Sequence, residues 1–288
     1  MRLPPRRYQA MGAAIVAGAV TARYVSKWRR RRLRRLGEQR EVTFSSNKVF
    51  VGISFPDRLT ESQLSCSVAM IDSELRCHFS VWQFREDGLG ILPNTALGKS
   101  FTLAISGPQG LAANENAVSR ESEQKTNTSR KTPYSITSDK NVKSELIRES
   151  TTLFYNLVSS GSRFRLLGLH DTSVRDANLI EVSADTAWSS MARTALPAKV
   201  SLEGRRRRAE LLQGEGVDFI SGPLISDIQL DSAICAWTAF CLESGKAQLV
   251  GTSPFADSEE NVFREGFIIQ PDINAFSSDS DSESFAPV

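Results

Sequence analysis

Lys48-Val49-Phe50-Val51-Gly52-Ile53-Ser54-Phe55 is the stretch that decides the fold. Apolar side chains fall on both parities, so neither face of an extended chain here could be left in water; this is the pattern of a strand buried on both sides. Downstream, Leu64-Ser65-Cys66-Ser67-Val68-Ala69-Met70 alternates with a period of two. After the polar turn Asp72-Ser73-Glu74, Leu75, Cys77, Phe79 and Val81 alternate with Arg76, His78 and Ser80. Two alternating strands across a tight turn predict an antiparallel hairpin.

Phe101 to Ser106 reads as a fourth buried strand and Leu179 to Ser183 as a fifth. Between them, residues 107–140 are polar and without a sustained period, which predicts a surface loop or a disordered insertion. Helical spacing is expected over Val142 to Val158, Thr186 to Ala195 and Leu202 to Gln213. Ser226-Asp227-Ile228-Gln229 is a capping box opening a last long helix, in which Leu230, Ile234, Trp237 and Cys241 recur until Gly245 stops it. The economical solution is an α/β domain with one mixed five-stranded sheet and helices on both faces.

Composition narrows the function. The chain has 288 residues, 40% of them apolar and 24% charged, an ordinary globular balance. No run approaches the roughly 20 apolar residues of a membrane-spanning helix, which excludes an integral channel or transporter. Cys66 and Cys77, like Cys235 and Cys241, are too far apart for a Cys-x-x-Cys clip, and each reads best as a small buried hydrophobe in a thiol-reduced, intracellular protein. The net charge of +2 conceals an asymmetry: residues 1 to 40 carry twelve Lys/Arg against Glu38 alone, a local +11, which leaves −9 for the remainder. Any inference of nucleic-acid binding from pI concerns that arm only.

Within the arm an uncharged Ala/Gly-rich run from Tyr8 to Ala22 precedes Trp28 and Arg29-Arg30-Arg31-Arg32-Leu33-Arg34-Arg35. The arginines just beyond the apolar run oppose a secretory signal, and the run is short for a membrane anchor. Arginine richness without acids before Glu38 fits an organellar, mitochondrial address; the alternative is a nuclear or cytoplasmic protein with a nucleic-acid patch or a plain basic tail. The domain plan is therefore a basic arm over 1–47, a folded domain over 48–272 with its polar insertion, and an acidic, disordered tail over 273–288 that includes Ser277 to Glu283.

Several motifs fail. Pro93-Asn94-Thr95-Ala96-Leu97-Gly98-Lys99-Ser100 lacks the first glycine of a phosphate-binding loop and runs into a strand, not a helix N-terminus. His170-Asp171 has no nucleophile elbow to serve, and His78 sits on the polar face of its strand. Arg205 to Arg208 are spread about 100° apart around a helix, so only Arg205 and Arg208 share a side.

Pieces along the chain then fall in a recognisable order: Val51-Gly52-Ile53; Ala104-Ile105-Ser106-Gly107-Pro108-Gln109-Gly110-Leu111; Glu181-Val182-Ser183-Ala184; Gly204-Arg205 with Arg208, Leu211 and Leu212; Asp231-Ser232-Ala233-Ile234-Cys235-Ala236-Trp237-Thr238-Ala239; and Glu265-Gly266-Phe267-Ile268-Ile269-Gln270-Pro271. From about Val49 to Pro271 the chain resembles domain-of-unknown-function family 429, predicted nucleases with a ribonuclease-H-like fold. The resemblance implies that acids from the first, fourth and fifth strands and the last helix converge on one or two Mg²⁺ or Mn²⁺ ions for phosphodiester cleavage. It places Glu181 and Asp231 as metal ligands and catalytic acids.

The departures weigh more. The family's first-strand acid falls on Ser54 and its fourth-strand acid on Ser106, so a cluster near −4 becomes about −2, too little to offset two divalent ions. Asp227, one turn before Asp231, is the acid that could compensate, although stabilising the helix dipole is the better explanation of it. Lys199, Arg205 and Arg208 are the candidate nucleic-acid contacts. The expectation is a divergent ribonuclease-H-like protein, related to nucleic acid, with an eroded Mg²⁺ or Mn²⁺ site and weak or no catalysis. The alternatives are an active metal-dependent phosphodiester hydrolase using Glu181, Asp231 and Asp227, and a non-enzymatic interaction scaffold suggested by the acidic body.

Overall fold

The computed structural model describes residues 48–56, 65–83, 100–129, 131–136, 142–159, 163–192, 194–220 and 225–272. The basic arm, the acidic tail and residues 93–99 of the failed phosphate-loop motif lie outside the described residues. In chain order the elements are β1 (Lys48–Ser54), β2 (Ser65–Asp72), β3 (Arg76–Gln83), β4 (Ser100–Ser106), α1 (Glu121–Lys125), α2 (Val142–Ser159), β5 (Leu179–Val182), α3 (Ala184–Met191), α4 (Leu202–Gly214), β6 (Asp218–Phe219), α5 (Asp227–Glu243), β7 (Ala247–Val250), β8 (Phe255–Asp257), β9 (Val262–Arg264) and β10 (Ile268–Pro271).

This is an α/β protein with one large mixed sheet, in the order β6-β3-β2-β1-β4-β5-β10-β7. The meander β1–β2–β3 is antiparallel, as its alternation predicts. β4, β5 and β10 then run parallel to β1, and β7 closes the edge antiparallel. The sheet has eight strands where five were expected. The additional ones have two to four residues each, and their pairing partners hold them extended.

β1 is the hinge of the whole arrangement. Its side chains from Val49 to Ser54 are buried on both parities. On one face, Phe50 belongs to a core with Ala233, Ile234, Ala236 and Trp237 of α5. Gly52 lets that helix come close, because a Cβ there would stand 2.0 Å from the Ser232 carbonyl oxygen and 2.5 Å from the Ala236 nitrogen. α5 starts as its sequence predicts: Ser226 Oγ accepts from the Gln229 N–H at 3.3 Å while Gln229 Oε1 accepts from the Ser226 N–H at 2.9 Å. All four cysteines are buried thiols, and among the described residues no helix is long and apolar enough to cross a membrane.

The expectation for residues 107–140 is corrected. Where described, this segment is an ordered strap, not a surface loop. Leu111 donates its N–H to the Phe263 carbonyl and accepts from the Glu265 N–H, both at 2.8 Å. α1 follows, and Gln109, Ser119, Arg120, Glu123, Thr128 and Thr132 are all buried. A polar run without apolar period is buried here because its partners are complementary charges and backbone groups elsewhere in the fold.

Candidate functional site

β1 and β4 end side by side on Ser54 and Ser106, which are register partners. Glu181 of β5 pairs with Ile105 of β4 on one side and Ile268 of β10 on the other. The two serines and Glu181 therefore stand at the carboxyl ends of parallel strands, the place where α/β sheets hold ligands. Asp231 joins them from α5. Ser183 and Asp185 come from the start of α3, Lys199 from the loop before α4, and Arg120, Glu123, Ser129 and Thr132 from the strap. Together they line one cleft with a cavity of about 60 Å³. That is room for a few waters or one small group, well below the ~300–1,000 Å³ of pockets that enclose a drug-sized ligand.

The Glu181 carboxylate accepts three hydrogen bonds. Arg120 Nη1 donates to Oε2 at 2.7 Å, Nη2 to Oε1 at 2.6 Å, and the Gln109 N–H to Oε2 at 2.8 Å. Burial pushes the Glu181 carboxyl upward, and the Arg120 guanidinium and Gln109 N–H oppose it. Burial would lower Arg120 in turn, but Glu181 and Glu123 more than reverse this and hold it protonated. Gln109 is kept in place by Gly266, whose φ of +124° suits glycine and where a Cβ would stand 1.8 Å from Gln109 Nε2. The Glu-Gly pair near the end of the domain thus has a physical role: it seats the strap on Glu181.

Asp231 is held from two sides. Trp188 Nε1 donates to Oδ1 at 2.9 Å and Lys199 Nζ lies 3.5 Å from Oδ2. Burial raises its carboxyl above the ordinary aspartate range, against Lys199 and Trp188. A buried, shifted carboxylate in a cleft is the kind of group that marks functional sites. With Arg120 and Lys199 set against Glu123, Glu181, Asp185 and Asp231, the cleft sums to a formal −2.

Of the residues singled out in the sequence, Ser54, Ser106, Glu181, Asp231 and Lys199 meet in this cleft. Asp227, in the first turn of α5, is not among its lining residues, and neither are Arg205 and Arg208. Arg208 makes its contacts within the protein. It is buried beside the Trp188 ring, 5.7 Å from the centroid, and its Nη1 donates to the Pro197 and Gly204 carbonyls at 3.0 Å each. Arg205, on the same side, is half-buried. His170 lies exposed in a short 3₁₀ turn, far in role from any nucleophile. Sequence reasoning missed Arg120 and Glu123. Their only local signal is the Arg120-Glu121-Ser122-Glu123 run, an i,i+3 charge pair that reads equally well as a solvated helix start.

The Mg²⁺ or Mn²⁺ implied by the family resemblance does not fit this donor set. Both Glu181 oxygens face a guanidinium, Asp231 faces an indole N–H and an ammonium, and the ends of β1 and β4 offer the hydroxyls of Ser54 and Ser106. Among the described residues no group of three or more His, Cys, Asp or Glu side chains is placed to hold a metal.

Comparison with family models, curated proteins and solved structures returns no match. The cleft has to be read from its own chemistry.

Proposed function

We propose that this chain is a ribonuclease-H-like protein that has lost metal-dependent phosphodiester hydrolysis and acts as a nucleic-acid-associated binding protein. The fold part of this reading is supported by the meander β1–β3 leading into parallel β4 and β5, and by the meeting of Ser54, Ser106, Glu181 and Asp231 in one cleft. Those are the four positions where the family resemblance puts its acids.

The observation that carries the functional part is the bidentate ion pair between Arg120 and Glu181. Metal-assisted hydrolysis needs carboxylates with free oxygens converging on a divalent ion that activates water and stabilises the leaving oxygen. Here one surviving acid is neutralised by a guanidinium and two others are serines. Nucleic-acid contact is assigned to the basic arm, whose +11 contrasts with the −9 of the rest, because an acidic body repels phosphates.

The test uses the full-length chain. Incubated with DNA and RNA in Mg²⁺ or Mn²⁺, it is expected to cleave no faster than Asp231→Ala. Its nucleic-acid affinity is expected to fall with salt, and replacing the six arginines between Arg29 and Arg35 by alanine should flatten the log–log salt slope by up to about 5. Metal-dependent cleavage abolished by Asp231→Ala would replace this reading with an active nuclease. A salt slope unchanged by the arm substitutions would remove the arm from nucleic-acid binding.

A further inference from the structure

The Glu181 pair is half of a larger arrangement. Arg120 also donates from Nε and Nη2 to Glu123 Oε1, at 3.1 and 2.9 Å. Nη2 therefore lies 2.6 Å from a Glu181 oxygen and 2.9 Å from a Glu123 oxygen. Two carboxylates from distant parts of the chain converge on one cationic nitrogen, and all three side chains are 3% exposed or less. Glu123 Oε2 accepts the Thr132 N–H at 2.7 Å and the Arg120 N–H at 3.3 Å, and the Thr132 hydroxyl donates to Oε1.

The strap that delivers Arg120 is anchored independently of this cluster. Glu265 accepts the Ala113 N–H at 3.0 Å and the Glu121 N–H at 2.9 Å. Arg264 donates to the Ala112 carbonyl at 3.0 Å and the Tyr134 carbonyl at 2.9 Å, with its guanidinium 3.9 Å from the Tyr134 ring centroid. The guanidinium is thus a fixed part of the cleft wall.

We propose that Arg120 is the resident cation of the cleft: its guanidinium occupies the point where the Glu123 and Glu181 carboxylates converge, and so excludes a divalent ion from it. Two buried carboxylates cannot both stay ionised without a cation between them. Arg120 supplies one in a fork geometry that fits Glu181 bidentately. Proteins usually hold Mg²⁺ with one or two carboxylates together with waters and substrate phosphate, at oxygen distances of about 2.0–2.1 Å. A small side chain at position 120 leaves such a pair facing a vacated space, beside a cleft that already holds Asp185 and Asp231. Removing the guanidinium therefore converts a metal-excluding cleft into a metal-binding one. The inference rests on the metal-free reading above and adds its physical cause.

The experiment is Mn²⁺ titration by calorimetry, with thermal unfolding in Mn²⁺ or EDTA, on full-length wild type, Arg120→Ala, Arg120→Lys, Glu181→Gln and Arg120→Ala/Glu181→Gln. Wild type and Arg120→Lys are expected to give no binding heat and no shift in Tm. Arg120→Ala is expected to bind one Mn²⁺ and to gain Tm with Mn²⁺ concentration, and the double variant to lose both effects. If Arg120→Ala is unfolded in EDTA, recovery of its circular dichroism on adding Mn²⁺ supports the proposal. Failure of Arg120→Ala to bind Mn²⁺ or to be refolded by it overturns the proposal and leaves the metal-free wild type standing. Mn²⁺ binding by the wild type that is lost in Glu181→Gln overturns the metal-free reading itself.

Discussion

Arg120 and Glu181, 61 residues apart in sequence, are joined by two parallel N–H···O bonds of 2.7 and 2.6 Å within the protein interior. Removing Arg120 leaves the Glu181 and Glu123 carboxylates buried without their shared cation, whereas removing Glu181 as well leaves only Glu123 uncompensated. Arg120→Met is therefore expected to cost about 3–5 kcal/mol in denaturant unfolding. In a double-mutant cycle with Glu181→Met the costs should fall short of additive by more than about 1 kcal/mol. Additive costs would mean that the two side chains do not hold one another.

Asp231 governs a pH dependence whose sign follows from its raised carboxyl. An acid shifted upward binds its proton more tightly in the fold than in the unfolded chain. Its contribution is complete below the ordinary aspartate range and is lost as pH rises through the folded value. Between about pH 8 and about pH 4, wild type is expected to gain Tm relative to Asp231→Asn, which has nothing to titrate at this position. A difference in Tm that stays constant across the range would contradict the shift.

Glu265 acts as the clasp of the strap, accepting the Ala113 and Glu121 N–H groups with its two oxygens. Glu265→Ala orphans two donors and is expected to cost about 1–3 kcal/mol for each that stays buried. Because the anchors are local, amide hydrogen exchange should accelerate over 109–132 before it does in β1 or α5. Uniform acceleration across the sheet would show that the strap and the core unfold as one unit.

Gly52→Ala tests the contact between β1 and α5. The new methyl would meet backbone atoms, the Ser232 carbonyl oxygen at 2.0 Å and the Ala236 nitrogen at 2.5 Å, which cannot move aside as a side chain could. Overpacking of this kind typically costs about 1–3 kcal/mol. The expected readout is a lower Tm together with altered Trp237 fluorescence, since Trp237 lies in the core that α5 forms with Phe50. An unchanged Tm would place α5 farther from β1 than described.

Much of the fold was legible in the chain because its signals are local. The two-sided burial of Val49 to Ser54, the alternation across Asp72-Ser73-Glu74 and the Ser226/Gln229 box each act within a few residues, and each appears where the sequence places it. The meeting of Ser54, Ser106, Glu181 and Asp231 in one cleft was not carried by any local signal; only the family resemblance implied it. β6, β7 and β10 were not expected from the sequence; they are extended because a neighbour supplies the hydrogen bonds.

The sequence by itself determined the α/β class, the central strand and the capped helix. Only the tertiary structure decided how Glu123, Glu181 and Asp231 are held. Arg120 and Glu123 lie in a run whose polarity reads as solvent-facing, because a charge carries no local mark of burial; whether it is buried depends on a partner far along the chain. Once β5 presents Glu181 and Glu265 holds the strap down, the guanidinium has nowhere better to be than between two carboxylates. Electrostatic complementarity at long sequence separation, invisible to any window of residues, is what makes the cleft a guanidinium-centred site.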